Sequence, residues 1–285
     1  MSELKKRIIV ALIGIPLGLL AIYIGGLVFS VLILIISSIA LYEFYKITLK
    51  QNYKINIILG TIIGTIPILV LIITGSSKCT LFQYITSYLP LFAMAIIYLY
   101  LIYIIAISII IILIYFLFNK KEDILLRIGI FFAGFFYISI PFFILVLLRN
   151  LDNGFFYTIL TFISIWICDS GAYFIGRRFG KHKLMPSVSP KKTIEGAIAG
   201  FILSSLFFII TSMLLIENMS LLLSILIGIT IGIFGQLGDL VESKIKRIVE
   251  VKDSSNLIPG HGGILDRFDS IIFVVPLIYA IIMLY

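Results

Sequence analysis

Residues 8–42 read IIVALIGIPLGLLAIYIGGLVFSVLILIISSIALY, with no Asp, Glu, Lys or Arg at any position. A helix crosses bilayer hydrocarbon with ~20 predominantly apolar residues, and a helix satisfies its own backbone polar groups there. This run is too long for one crossing and has Gly25-Gly26 at its middle, so it reads as two helices joined by a turn. Seven more charge-free runs follow, at 55–77, 79–119, 128–148, 153–168, 196–216, 218–238 and 270–285. The composition agrees: 61% hydrophobic, 13% charged and a mean hydropathy of +1.20, where soluble domains carry ~45–50% apolar and ~25% charged residues. These figures exclude an ordinary soluble enzyme, a disordered chain and a secreted disulfide scaffold. The expected fold class is an all-α, polytopic integral membrane protein.

Charge placement gives the expected topology. Cytoplasmic loops accumulate Lys and Arg. With the N-terminus in the cytoplasm and 79–119 taken as one long helix, the chain has nine spans. All of its 22 Lys and Arg residues except Lys78 and Arg149 then lie on the inner side. Splitting 79–119 into two spans would move most later basic residues outside. The N-terminal Lys5-Lys6-Arg7 before an apolar run has no small-residue cleavage site after it and reads as a retained first helix. The net charge of +8 is therefore a topology record with headgroup contact, and no nucleic-acid partner is expected. Cys79 and Cys168 have no metal-ligand spacing and fall on different sides, so neither a zinc site nor a disulfide is expected.

The polar residues concentrate late in the chain. Residues 1–150 read as transmembrane scaffold facing lipid, and 151–285 as a catalytic region with two cytoplasmic loops, near 177–193 and 240–268. Nine of the 14 acids and both histidines lie between 169 and 269. Asp169 sits within a span, about seven residues before its end, where a carboxylate needs a compensating partner such as a cation or a neighbouring helix. Gly171 and Gly176 permit close helix approach. Ser189-Pro190 reads as an N-cap and first helical position; with Lys191 and Lys192 it makes either a phosphate seat or a capped helix with a topogenic lysine pair. Asp239, Glu242, Ser243 and Lys246 share one helical face, which suits a metal–phosphate site or a solvated helix end with internal ion pairs. Pro259-Gly-His261-Gly262-Gly263 reads as a tight, mobile loop, followed by Asp266-Arg267 at the start of the last span.

Taken together these residues resemble the phosphatidate cytidylyltransferases, or CDP-diacylglycerol synthases. The family signature S-x-apolar-K-R, K-D and P-x-H-G-G-apolar-x-D-R-x-D reads here Ser243-Lys-Ile-Lys246-Arg247, Lys252-Asp253 and Pro259 through Asp269. The blocks D-S-G-A-Y-x-x-G-R and S-P-K-K-T-x-E-G match at Asp169–Arg177 and Ser189–Gly196. The likeness is strong over roughly 165–270. It implies a nucleotidyltransferase that joins CMP from CTP to phosphatidic acid, at the cytoplasmic face of the cell membrane, with release of pyrophosphate. It implies Mg²⁺ on Asp239 and Asp266, allows a second cation, and suggests a homodimer. By the same resemblance Lys246, Arg267 and His261 join those carboxylates as catalytic residues. Asp169, Ser189, Lys191, Lys192, Ser243, Arg247, Gly262 and Gly263 would bind substrate.

Two other function classes bear on these residues. A CTP-dependent polyprenol or lipid kinase would move the γ-phosphoryl and release CDP. An ion-coupled transporter would use Asp169 as an intramembrane coupling residue, although the polar residues gather at one face instead of mid-membrane. A Walker A pattern is absent, since Gly176–Lys181 has the wrong spacing, and so is the D-G-x-x-A-R signature of CDP-alcohol phosphatidyltransferases.

Overall fold

The computed structural model describes residues 3–49, 54–76, 110, 124–257 and 262–285. Among these, seven helices are long and apolar enough to span a membrane. Of the nine expected spans, two are not among the seven. The first helix contributes a shorter apolar stretch, Leu12–Ile24, and the 79–119 run lies outside the described residues apart from Ile110, as does Cys79.

The chain forms two compact units, Met1–Phe29 with Pro141–Tyr285, and Ser30–Ile140. The N-terminal helix α1 (Glu3–Ile24) belongs to the first of these units. Its last carbonyls have no helical partner. Arg149 supplies one, donating from Nε to Ile22 O at 2.6 Å and from Nη2 to Tyr23 O at 3.1 Å. Gly25, at φ +67°, turns the chain there.

The second unit holds most of α2 (Gly26–Leu49), α3 (Lys54–Ser76) and α4 (Ile124–Gly134), followed by a π-helical turn at Phe135–Ser139. Buried Tyr45 on α2 donates to Phe131 O on α4 at 3.0 Å. After the π turn, α5 (Ile140–Arg149) carries the chain into the first unit.

That first unit also contains α6 (Gly154–Phe179), a two-stranded antiparallel hairpin of β1 (Lys183–Met185) and β2 (Ser189–Thr193), and then α7 (Ile194–Leu215), α8 (Leu221–Ile248) and α9 (Leu265–Leu284). Helix α6 packs on α7, α7 on α8, and α8 on α9. Small residues set the spacing, as is usual where lipid removes any hydrophobic drive between helices. A Cβ on Gly200 of α7 would fall 2.6 Å from Cys168 O on α6. Hydroxyls add cross-links between α7 and α8: Ser205 Oγ donates to Gly228 O at 2.9 Å and Ser212 Oγ to Ser224 Oγ at 3.0 Å. Gln236 Nε2 donates to Ala197 O at 3.0 Å.

Three sequence expectations change. Ser189-Pro190 does not start a helix. It starts β2, and the helix begins at Ile194 with Thr193 as its cap, extended at φ −124° and accepting from Gly196 N at 3.2 Å. Helix α6 runs on to Phe179, and α8 to Ile248, well past the ends of their apolar runs. In both, basic residues occupy the last turn, Arg177 and Arg178 in one and Lys246 and Arg247 in the other. Cations favour a helix C-terminus, so these basic residues support the last turns of both helices. The two connecting loops are correspondingly shorter than 177–193 and 240–268.

Gly200→Val is expected to destabilise the protein by about 1–3 kcal/mol, the usual cost of overpacking. A lowered thermal unfolding midpoint in detergent measures it, and an unchanged midpoint would mean that α6 and α7 do not meet there.

Candidate active site

Two charged clusters form where α6, the hairpin, α8 and the start of α9 converge. In the first, Lys192 of β2 forms an ion pair with Asp239 of α8, whose other oxygen accepts Ser243 Oγ at 3.2 Å. Asp239 and Ser243 are four residues apart and stack on one helix face.

The second cluster is more deeply enclosed. Lys246 Nζ donates to Glu242 Oε2 at 2.9 Å and to Asp266 Oδ1 at 2.7 Å, with side chains only 12%, 2% and 6% exposed for Lys246, Glu242 and Asp266. At that burial one ammonium between two carboxylates is a structural requirement, since an unpaired buried charge is very costly. Asp266 accepts further bonds. Its Oδ2 takes Ser254 N at 3.0 Å, Ser254 Oγ at 3.1 Å and Gly263 N at 2.7 Å. A single carboxylate therefore bonds both Ser254 and Gly263. Gly262 adopts φ +87°, and a Cβ there would lie 2.7 Å from Asp266 Oδ2, so both its backbone and its proximity require glycine. Among the described residues, Glu242 Oε1 is buried without a hydrogen-bond partner.

The clusters share one electrostatic neighbourhood. Asp169 of α6 interacts with Asp239, Lys192 and Arg267. Asp269 of α9 interacts with Asp239, Asp169 and Lys246, and its Oδ1 accepts its neighbour Ser270 N at 2.7 Å. Gly238 lets α8 and α9 approach here, because a Cβ on it would sit 2.5 Å from Asp269 O. Among the described residues, the donors these clusters offer a cation are oxygens, from carboxylates and the Ser243 hydroxyl. Among the described residues no group of three or more His, Cys, Asp or Glu side chains forms a ready metal cage.

The sequence-derived residues divide by position. Asp169, Lys192, Asp239, Ser243, Lys246, Gly262, Gly263, Asp266 and Arg267 come together. Arg247 reaches the hairpin instead, with Nε 3.5 Å from Val188 O. Ser189 and Lys191 sit on β2, half-buried and exposed respectively, with Lys191 beside Lys192 in the chain. His261 lies outside the described residues. The helical face Asp239, Glu242, Ser243, Lys246 exists as two bonded pairs, Asp239–Ser243 and Glu242–Lys246. Glu242, read from sequence only as part of that helical face, is buried against Lys246. Residues not counted in the site from sequence include Ser254 and Asp269; Asp269 closes the D-R-x-D signature, so its position was a visible clue.

The profile of the cytidylyltransferase family matches residues 5–285, nearly the whole chain. The chain belongs to the cytidylyltransferase family. It is 33% identical over 288 residues to a phosphatidate cytidylyltransferase of Bacillus subtilis (strain 168), covering all of both proteins. It is 51% identical over 127 residues to that of Staphylococcus haemolyticus (strain JCSC1435), covering 45% of this chain and 49% of the relative. With that of Staphylococcus saprophyticus (strain ATCC 15305) it shares 46% over 142 residues, or 50% and 54% of the two chains. In this cytidylyltransferase, then, the two clusters lie on the multi-pass membrane region itself.

Lys246→Met leaves Glu242 and Asp266 buried without their cation and is expected to cost about 3–5 kcal/mol. Lys246→Arg, which keeps the charge, should cost less. Thermal unfolding of the purified variants checks this order; equal midpoints for the two would remove the ion-pair argument.

Proposed function

We propose that this chain transfers CMP from CTP to phosphatidic acid, giving CDP-diacylglycerol and pyrophosphate, at the cytoplasmic face of the cell membrane. The observation that carries this reading is the end-to-end likeness to the Bacillus subtilis phosphatidate cytidylyltransferase. The distribution of Lys and Arg supports the cytoplasmic placement. A nucleotide reaches the site from that side, while the acyl chains of the second substrate stay in the bilayer. A homodimer is proposed on the family resemblance alone.

The chemistry asks for charge more than for a base. A phosphomonoester has its second pKa near 6 and is already a nucleophile at neutral pH. One of its oxygens attacks the α-phosphorus of CTP, the new P–O bond forms, and the bond to the bridging oxygen breaks to release pyrophosphate. No proton transfer is required in that step. The barrier arises from repulsion between two polyanions, so positioning and electrostatic stabilisation dominate. Lys192 and Lys246, now held by carboxylates, and Arg267 beside Asp169 are the cations nearest to hand. Lys191 and Arg247 extend positive charge along the hairpin. Gly262 and Gly263 allow backbone to approach the substrates closely.

Mg²⁺ fits this donor set. It prefers oxygen ligands and usually takes one or two carboxylates together with substrate phosphates, and the oxygens of the two clusters are of that kind. Asp239 and Asp266 would be its holders. When bound, the metal neutralises charge on the triphosphate. Asp266 also has a task of its own, because it bonds both Ser254 and Gly263.

Purified protein in detergent with CTP, Mg²⁺ and phosphatidic acid is expected to release pyrophosphate and form CDP-diacylglycerol. Release of CDP would instead identify γ-phosphoryl transfer, as in a lipid kinase. Asp239→Asn is expected to lower kcat by about a hundredfold or more, the scale of removing one preorganised electrostatic partner, while the protein still inserts. Near-normal turnover would remove Asp239 from the site.

A further inference from the structure

Glu195 is assigned no role by the reaction, yet its carboxylate is bonded to both residues that lead into the hairpin, Lys181 and His182. It lies in the first turn of α7, directly after β2. Its Oε2 accepts Lys181 N at 3.1 Å and His182 N at 3.2 Å. Its Oε1 accepts His182 N at 3.2 Å and stands 2.6 Å from His182 Nδ1. With the carboxylate ionised, that ring nitrogen is the donor. Lys181 and His182 precede β1, and Glu195 follows β2. One carboxylate thus closes the open end of the hairpin, beside the backbone bond from Ile194 N to His182 O at 2.9 Å.

The far end of the hairpin is anchored separately. Val188, buried at the turn, donates its N–H to Met185 O at 3.1 Å, and its carbonyl faces Arg247 of α8. Between these anchors lies Lys192, which reaches Asp239. A two-stranded hairpin has little stability alone. Its position here depends on what ties it to the helices.

We propose that Glu195 is a positioning residue for nucleotide binding: it staples the hairpin to the start of α7 so that Lys191 and Lys192 are held in place before the triphosphate arrives. The proposal rests on the cytidylyltransferase reading above. Glu195 touches neither substrate. It acts through the lysines, and its effect is preorganisation, which lowers the ordering cost of binding. Loss of the staple should therefore appear in KM for CTP and leave the chemical step mostly intact.

The test is steady-state kinetics of Glu195→Ala, Glu195→Gln and His182→Ala in detergent, with CTP and phosphatidic acid varied separately. Glu195→Ala is expected to raise KM for CTP by about tenfold and change kcat by less than about threefold, the pattern of lost uniform binding. Glu195→Gln keeps an acceptor oxygen and should recover part of the loss. His182→Ala, which spares the two backbone bonds, should have the smallest effect. Limited trypsin digestion gives a readout apart from activity: cleavage at Lys183 and Lys191 should be faster in Glu195→Ala than in wild type. Unchanged KM for CTP in Glu195→Ala, or a loss confined to kcat, overturns the proposal. So does an equal loss in Ala and Gln variants, or unaltered cleavage. If wild-type protein releases no pyrophosphate from CTP and phosphatidic acid, the reaction itself is wrong, and that result is distinguishable from a failed staple because digestion still reports the hairpin.

Discussion

A carboxylate taken out of water must have donors, and this single constraint organises the C-terminal part of the chain. Five carboxylates, Asp169, Asp239, Glu242, Asp266 and Asp269, gather where α6, α8 and α9 meet. Lys246 cannot satisfy only Glu242 on its own helix, because Asp266 on α9 is equally buried. Its ammonium therefore fixes α9 against α8. Asp266 has capacity left over and uses it on the N–H groups of Ser254 and Gly263. A buried pair of this kind contributes modestly to net stability, since desolvation offsets the attraction. What it does contribute is a definite arrangement: two helices and a loop are placed by one cation.

Close helix approach makes that arrangement reachable. Charged side chains of fixed length meet only if the backbones carrying them are near enough. Gly200 places α7 against the backbone of α6 at Cys168, the residue beside Asp169. Gly238 does the same for α8 and α9 beside Asp239 and Asp269. Each glycine is next to, or one turn from, a carboxylate of the site. In lipid, where apolar helices gain nothing by leaving one another's apolar neighbours, small residues and interhelical hydrogen bonds carry the packing. Packing and site are therefore written in the same few positions.

The all-α membrane fold was legible because bilayer thickness imposes a length on every apolar run, and runs such as 8–42 and 196–216 report that length directly. Helix ends were less legible. Sequence alone carries α6 about seven residues past Asp169 and keeps Asp239 to Lys246 helical, yet loops drawn from 177 and 240 start too early, because basic residues at a C-terminus favour further helix, to Phe179 and Ile248. The Ser189-Pro190 start failed for a different reason. Cap chemistry is local, and both Ser189 and Thr193 can provide it; the choice fell to Thr193 because strand pairing with Lys183–Met185 claims the residues between. The site residues Asp239, Lys246 and Asp266 were legible as a group because ionisable residues rarely stand in spans without cause. Their partners were not, since nothing in sequence spacing says that Lys192 meets Asp239 across 47 positions, or that Ser254 and Gly263 share one carboxylate.

The same charge arithmetic bears on how substrates would be taken up. Lys192 and Lys246 are both engaged with carboxylates. For either to turn toward a phosphate, the carboxylate it leaves needs a new positive partner, and in a partly enclosed site that need is strong. A divalent cation held by Asp239 and Asp266 would supply that charge, since such ions take carboxylate oxygens together with substrate phosphates. Until then the ion pairs of Lys192 with Asp239 and of Lys246 with Asp266 keep these carboxylates compensated and hold the hairpin, α8 and α9 in register.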